Sequence, residues 1–331
     1  MIVSRAPVRF SLGGGGTDLP SYCDEHGGFL VAASIDKYVY VAANKRFHDD
    51  VLIKYSRTEQ VPSADQVVHP LFREALQLTG VKSGIELVSI ADLPSNSGLG
   101  SSSTFTVALL NALHAYKREY VSTEQLAQEA CSIEIDRLKE PIGKQDQYIS
   151  AYGGITAFTF EKGGAVHAAR LPMKLDVMEE LEMNLLVFYS GVERKAADIL
   201  SEQKKTIKAN TNDAVARMHR IKELGYETKK LLVDGDIDRY GELLHEHWTN
   251  KRKLASNMTD STIDEHYEAA RKAGAVGGKL MGAGGGGFFI FYVRPESRRR
   301  VYEAMTARGL RQLRFRFDFD GARIMANFHR S

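Results

Sequence analysis

Cysteine is nearly absent: Cys23 and Cys131 are the two in 331 residues, far apart and outside any CxxC pair. That excludes a disulfide scaffold and suits a reducing cytoplasm. Long apolar runs are missing as well. FFIFYV at 288–293 is far too short to cross a bilayer, and Arg5 and Arg9 interrupt MIVSRAPVRF before it can form a signal-peptide core. A formal net charge of +2 leaves no global field to favour nucleic acid or an anionic membrane. Eight arginines do crowd residues 294–316, but Glu296, Glu303, Asp318 and Asp320 lie alongside and no aromatic platform interleaves them. A solvated helix face explains that run better than a nucleic-acid groove. No low-complexity tail or regular repeat is visible. The chain reads as a cytoplasmic globular protein, long enough for two domains or one large one, and nothing in it fixes an oligomeric state.

Glycine is abundant in places. Thirteen of the 29 glycines fall in three clusters, Gly13–Gly16, Gly98/Gly100 and Gly277 to Gly287. Such clustering marks backbone approaching backbone or a ligand. The third cluster satisfies G-x-G-x-x-G through Gly282, Gly284 and Gly287, yet FFIFYVRP follows it. A dinucleotide site needs a helix there, so that reading fails. No Walker A loop exists either, because Gly143-Lys144 is followed by Gln145 and Gly278-Lys279 by Leu280.

The pattern along the chain predicts an α+β protein. VSRAPVRFSL reads as a strand, GGFLVAASIDKYVYVAAN as two, and IELVSI at 85–90 as another. Helices are expected at about 102–117 and 122–137, then a hairpin at 153–171. The second half predicts a strand at MNLLVFYSG and helices at about 194–208, 211–233, 237–254, 262–273 and 296–308. LRQLRFRFDF is expected to close the chain as a strand. A boundary near 170 divides the chain into 1–170 and 171–331. His245, His247 and Trp248 share a helix, but histidines two apart do not share a face, so they read as structural.

LPSNSGLGSSSTF at 93–105 joins a predicted strand to a predicted helix. N–H groups in the first turn of a helix lack intrahelical partners, and the dipole is positive there, so the patch suits a phosphate. Simple capping by serine explains the same residues. On the patch alone the two stay level.

RAPVRFSLGGGGTD, LPSNSGLGSSSTF and KLMGAGGGGF resemble, in order, the three motifs of the GHMP kinases, over about residues 5 to 320. The resemblance implies a two-domain GHMP kinase fold. Its N-terminal domain is like the second domain of ribosomal protein S5, and its C-terminal domain is ferredoxin-like with extra helices. It implies ATP phosphates held by Ser97, Gly98, Leu99, Gly100, Ser101, Ser102 and Ser103, and Mg²⁺ held by Ser102 and Glu134. GKQDQYISAYGG matches the family's base-bearing segment, which makes Asp146 the catalytic base. Arg9 matches the first-motif arginine that would pair with Asp146 and stabilise the transferring phosphoryl.

Gly15, Gly16, Thr17 and Asp18 match the acceptor site, with Gly284 and Gly285 from the third loop. Gly15 and Gly16 stand where galactokinases carry a Glu-His pair, which leaves more room and argues against galactose. FYSGVERKAADIL, HWTNKRKLA and GAVGGKLMGAGGGGFFIFY look most like the bacterial D-glycero-D-manno-heptose 7-phosphate kinases, which feed nucleotide-activated heptose to surface polysaccharides. L-Fucose kinases have a similar first motif. Phosphorylation would fall on the anomeric C1 hydroxyl, acidic enough for a carboxylate base. A 7-phosphate needs a cation, for which Lys144, Arg194 and Lys195 are candidates. Arg194 is favoured for its place at a helix N-terminus. A non-catalytic sugar-binding homologue and a decarboxylase are the competing classes. Joint retention of Arg9, Ser102, Glu134 and Asp146 argues against the first, and the polar first motif against the second.

Overall fold

The computed structural model describes residues 1–328 apart from 95–96, 193–195, 211–212 and 256–257. The chain opens with β1 (Ile2–Gly13), α1 (Pro20–His26) and β2 (Gly28–Lys45), continues through β3 (Val51–Lys54), β4 (Thr58–Val61) and α2 (Pro70–Thr79), and reaches β5 (Ile85–Ala91). The strand expected to split in two is the single 18-residue β2. β1 lies along one edge, and β6 (Ile155–Phe160) then β5 along the other; in the gap at 34–38 Ile35 bridges Phe317 and the Asp36 N–H donates to the Arg316 carbonyl, which carries the strand through.

α3 (Ser101–Lys117) and α4 (Thr123–Cys131) follow, and the helix expected to 137 ends in a π-helical turn, Ser132–Arg137. Such turns widen the helix and often occur at functional sites. This one carries the buried Glu134. α5 (Gln145–Tyr152) precedes β6 and β7 (Val166–Arg170), the expected hairpin. All these strands belong to one eight-stranded sheet, whose apolar face packs on α2, α3, α4 and α5.

The second sheet begins after α6 (Leu175–Asn184) with β8 (Leu185–Tyr189). Four helices intervene, α7 (Ala196–Ala209), α8 (Ala214–Asp234), α9 (Ile237–Lys251) and α10 (Ser261–Ala273), before β9 (Gly277–Leu280), β10 (Phe288–Tyr292), α11 (Arg298–Thr306) and β11 (Arg311–Leu313). The sheet order β11-β8-β10-β9 places the fourth strand beside the first and the third beside the second, all antiparallel. That is the ferredoxin-like arrangement, with the four helices as its extension.

The closing strand departs from expectation. LRQLRFRFDF supplies only the short β11, and β12 (Arg323–Asn327) returns to pair with β1 in the first sheet. Between them Phe317 bridges Ile35, and the Asp318 backbone bonds Ser34 and Gly154, so this stretch is held by the first sheet instead of extending the second.

Candidate active site

The two sheets meet where the three glycine-rich segments converge, around a cleft of about 490 Å³. This lies within the usual range of ligand sites. Ser97, Gly98, Gly100, Ser101, Ser102 and Ser103 line it from the 97–103 loop and the start of α3. The loop is shaped by Gly98 and Gly100, both at positive φ (81° and 79°). At Gly98 a side chain would strike the Met281 carbonyl at 2.8 Å, and at Gly282 one would lie 2.6 Å from the Gly98 Cα. The second and third motifs therefore touch backbone to backbone, which only glycine permits.

Gly100 is the N-cap of α3, with no side-chain capping bond. Serine capping, the plainer reading of the patch, is thus not what happens. The Ser101 hydroxyl is buried without a partner, as is that of Ser97, and the first-turn N–H groups face the cleft end of the helix. Leu99 differs from its neighbours. Its side chain is in the core, and its carbonyl takes the Arg9 N–H at 3.1 Å.

Asp146 sits in the first turn of α5, and Arg9 reaches it from β1 with both arms of its guanidinium. Nε donates to Oδ1 at 2.7 Å and Nη2 to Oδ2 at 2.8 Å, while Nη1 donates to the Gly98 carbonyl at 2.7 Å. This bidentate fork is the strong form of the pair. Both neighbours of Asp146 also hold carboxyls. Gln145 donates its backbone N–H and side-chain amide to Asp18, each at 3.0 Å, and the Gln147 amide donates to Glu134 at 2.7 Å. One helical turn thus fixes Asp18, Arg9 and Glu134 relative to one another. Sequence reading missed both glutamines, although they flank Asp146 in KQDQY.

Asp18 is almost wholly buried, and burial raises its pKa against the opposing bond from the Gln145 backbone. Burial likewise pushes Glu134 from 4.5 to about 7, the Gln147 bond opposing it. The Ser102 hydroxyl donates to Glu134 at 3.3 Å, and no cationic side chain among the described residues pairs with it. A magnesium ion fits these donors: one buried carboxylate, one hydroxyl, and the unpartnered Ser101 hydroxyl nearby. Among the described residues no three His, Cys, Asp or Glu side chains converge, so such an ion would complete its shell with phosphate and water oxygens.

Gly15 and Gly16 line the same cleft. Thr17, Gly284 and Gly285 do not. The Thr17 hydroxyl is buried against the carbonyls of Gly14 (2.8 Å) and Phe29 (2.9 Å), holding the first motif's turn. Gly284 and Gly285 pack on Met258, to whose carbonyl the Gly285 N–H donates at 2.8 Å. Arg194 and Lys195 lie outside the described residues. Lys144 is bound to the Gly164 carbonyl at 2.8 Å, away from the cleft. Two cleft lysines that sequence reading did not single out, Lys251 and Lys279, are buried. Both stand inside quoted motifs, but nothing in a linear pattern tells a buried lysine from a solvated one.

Two family models match the chain: GHMP kinases N terminal domain over residues 65–154 and GHMP kinases C terminal over 228–310, together more than half of it. The chain is a GHMP kinase. The first model spans the loop, Glu134 and Asp146, and the second spans Lys251 and the third glycine cluster. Over 316 residues the kinase is 27% identical to a D-glycero-alpha-D-manno-heptose 7-phosphate kinase of Campylobacter jejuni, covering 92% of this chain and 93% of that one. It is 25% identical to the L-fucokinase/L-fucose-1-P guanylyltransferase of Bacteroides fragilis, over 92% of this chain but 36% of that longer protein. A crystal structure described as a D-glycero-D-manno-heptose 1-phosphate kinase from Bacteroides thetaiotaomicron superposes with a TM-score of 0.82 at 26% identity. It covers 99% of this chain and 100% of that one. Kinases of this family use ATP, and this one is a sugar kinase, a phosphotransferase with a hydroxyl acceptor. No helix among the described residues is long and apolar enough to cross a membrane.

Proposed function

We propose that the kinase transfers the γ-phosphoryl group of ATP to the anomeric C1 hydroxyl of D-glycero-D-manno-heptose 7-phosphate, giving the 1,7-bisphosphate. The observation that carries this reading is the Arg9–Asp146–Asp18 constellation beside the phosphate-binding loop. The heptose is supported by the two heptose-kinase likenesses and by the open space at Gly16, where a side chain would meet nothing nearer than the Gln203 amide at 3.6 Å; Gly15, by contrast, is packed against Ser11.

Asp18 and Gln145 would hold ring hydroxyls, since polar groups in a buried site reject acceptors that cannot pair with them. The C1 oxygen attacks the γ-phosphorus as its bond to the bridging oxygen breaks, ADP leaves, and Asp146 takes the hydroxyl proton. Arg9 bonds both oxygens of Asp146 and the Gly98 carbonyl, so it fixes the base against the loop and places positive charge where phosphoryl charge develops. The α3 N-terminus receives the phosphates. Mg²⁺, held by Glu134 and Ser102, would supply charge neutralisation of the nucleotide phosphates. Such a product would serve nucleotide-activated heptose for surface polysaccharide, made in the cytoplasm.

The names of the two heptose relatives differ in the position of the phosphate, so the carbon is the point to test. Proton–phosphorus correlation of the product is expected to place the new phosphate on C1. A new phosphate on any carbon other than C1 would overturn the assignment.

A further inference from the structure

Most of the cleft's titratable groups are accounted for, but two lysines are not. Lys279 is 2% exposed and Lys251 7% exposed, and both line the cleft. Neither forms an ion pair with a carboxylate among the described residues. Among the described residues the Lys251 ammonium donates only to the Gly282 carbonyl, at 2.5 Å, and no group accepts from Lys279. An ammonium taken out of water without a partner is one of the most costly things a fold can bury.

The fold nevertheless brings the two together deliberately. A side chain at Gly277 would lie 1.9 Å from the Gly241 carbonyl, so β9 can lie directly on α9 only because Gly277 has none. Leu244, Trp248 and Lys251 follow on the buried face of α9, and Lys279 follows on β9. His247 is buried nearby with neither ring nitrogen partnered; burial first, and then both lysines, disfavour its protonation, and an imidazole carries no negative charge in either state.

Arg9 adds a guanidinium nearby. Its Nη1 holds the Gly98 carbonyl while Lys251 holds that of Gly282, and Gly98 and Gly282 are in backbone contact. Asp146, the nearest acid to the loop, already has both oxygens on Arg9.

We propose that Lys251 and Lys279 form a phosphate-receiving floor of the cleft, occupied by the phosphate that the acceptor carries or by the phosphoryl group in transfer. This deepens the kinase reading and rests on it. It moves the anion clamp from the loop after β8 to the junction of α9 and β9.

Calorimetric titration of inorganic phosphate into the ADP·Mg²⁺-bound protein tests it without any sugar. The wild type is expected to bind phosphate, and Lys279→Met and Lys251→Met each to weaken it at least tenfold with ADP affinity unchanged within twofold. No phosphate uptake by the wild type, unchanged uptake by both variants, or an equal loss of ADP affinity would overturn the floor. Initial rates with heptose 7-phosphate and with unphosphorylated heptose then identify the source. A KM rise confined to the 7-phosphate assigns the floor to the acceptor, and an equal fall in kcat for both assigns it to the transferring group. If neither sugar is turned over by wild type while phosphate uptake still depends on the lysines, the heptose reading fails and the floor stands.

Discussion

Asp146 gives both of its oxygens to Arg9, and the residues on either side of it hold Asp18 and Glu134. A conservative change at this position therefore separates chemistry from architecture. Asp146→Asn keeps the shape of the turn and removes the proposed base. It is expected to bind ATP with wild-type affinity and to lose about 10²–10⁴-fold in turnover, the usual range for a positioned base. Turnover within about tenfold of wild type, a barrier change of only about 1.4 kcal/mol, would take Asp146 out of that role. Asp146, Arg9, Glu134 and Ser102 were legible from the motifs alone. Gln145 and Gln147 were not, because an amide's partner depends on helix phase and on which carboxyls the fold buries beside it. Lys251 and Lys279 were hidden for a related reason: burial of a long cationic side chain leaves no periodic mark.

At the scale of elements, the contact between the second and third motifs is steric. Gly282→Ala must push its loop away from the Gly98 Cα, 2.6 Å from the new methyl, in a backbone conformation (φ 72°) that L-residues avoid. A stability loss of about 1–3 kcal/mol by denaturant titration is expected, together with a raised KM for ATP. An unchanged KM would show that the two loops do not share the nucleotide.

A second contact ties the far end of α3 to α4 and can be tested by pH. His114 bonds Glu129 at 2.6 Å and lies 3.3 Å from Glu119, and the Glu129 bond raises its pKa above 6.5 despite burial. A histidine raised on folding stabilises the protein fully below its unfolded value, and that contribution fades as pH rises through the folded one. The melting temperature of wild type should therefore fall from about pH 6 towards pH 8 relative to that of His114→Asn. Parallel curves for the two proteins would deny the pair this role.

At the scale of the molecule, the strand and helix order of the second half predicted an α+β arrangement, and the ferredoxin-like sheet that the family resemblance implied is present, although only β8 and β10 of its strands are apolar runs. β12 escaped notice. RIMAN is largely exposed, pairs only at an edge, and lies 310 or more residues from every β1 position, so no local pattern announces its partner. The short β3 and β4 and helices α1, α2, α5 and α6 were missed as well; most are brief, but α2 does carry a readable period, with Phe72, Ala75, Leu76 and Thr79 on its buried face. The missed helices matter to the cleft, since Pro70 and Leu71 of α2 and Gln145 and Asp146 of α5 line it beside the three loops.

The central claim concerns which sugar fills that cleft. ADP release should be followed with ATP, Mg²⁺ and each of heptose 7-phosphate, unphosphorylated heptose, L-fucose and galactose, comparing kcat/KM. The account predicts heptose 7-phosphate highest by at least tenfold, with galactose lowest. L-Fucose or galactose at or above heptose 7-phosphate would contradict it.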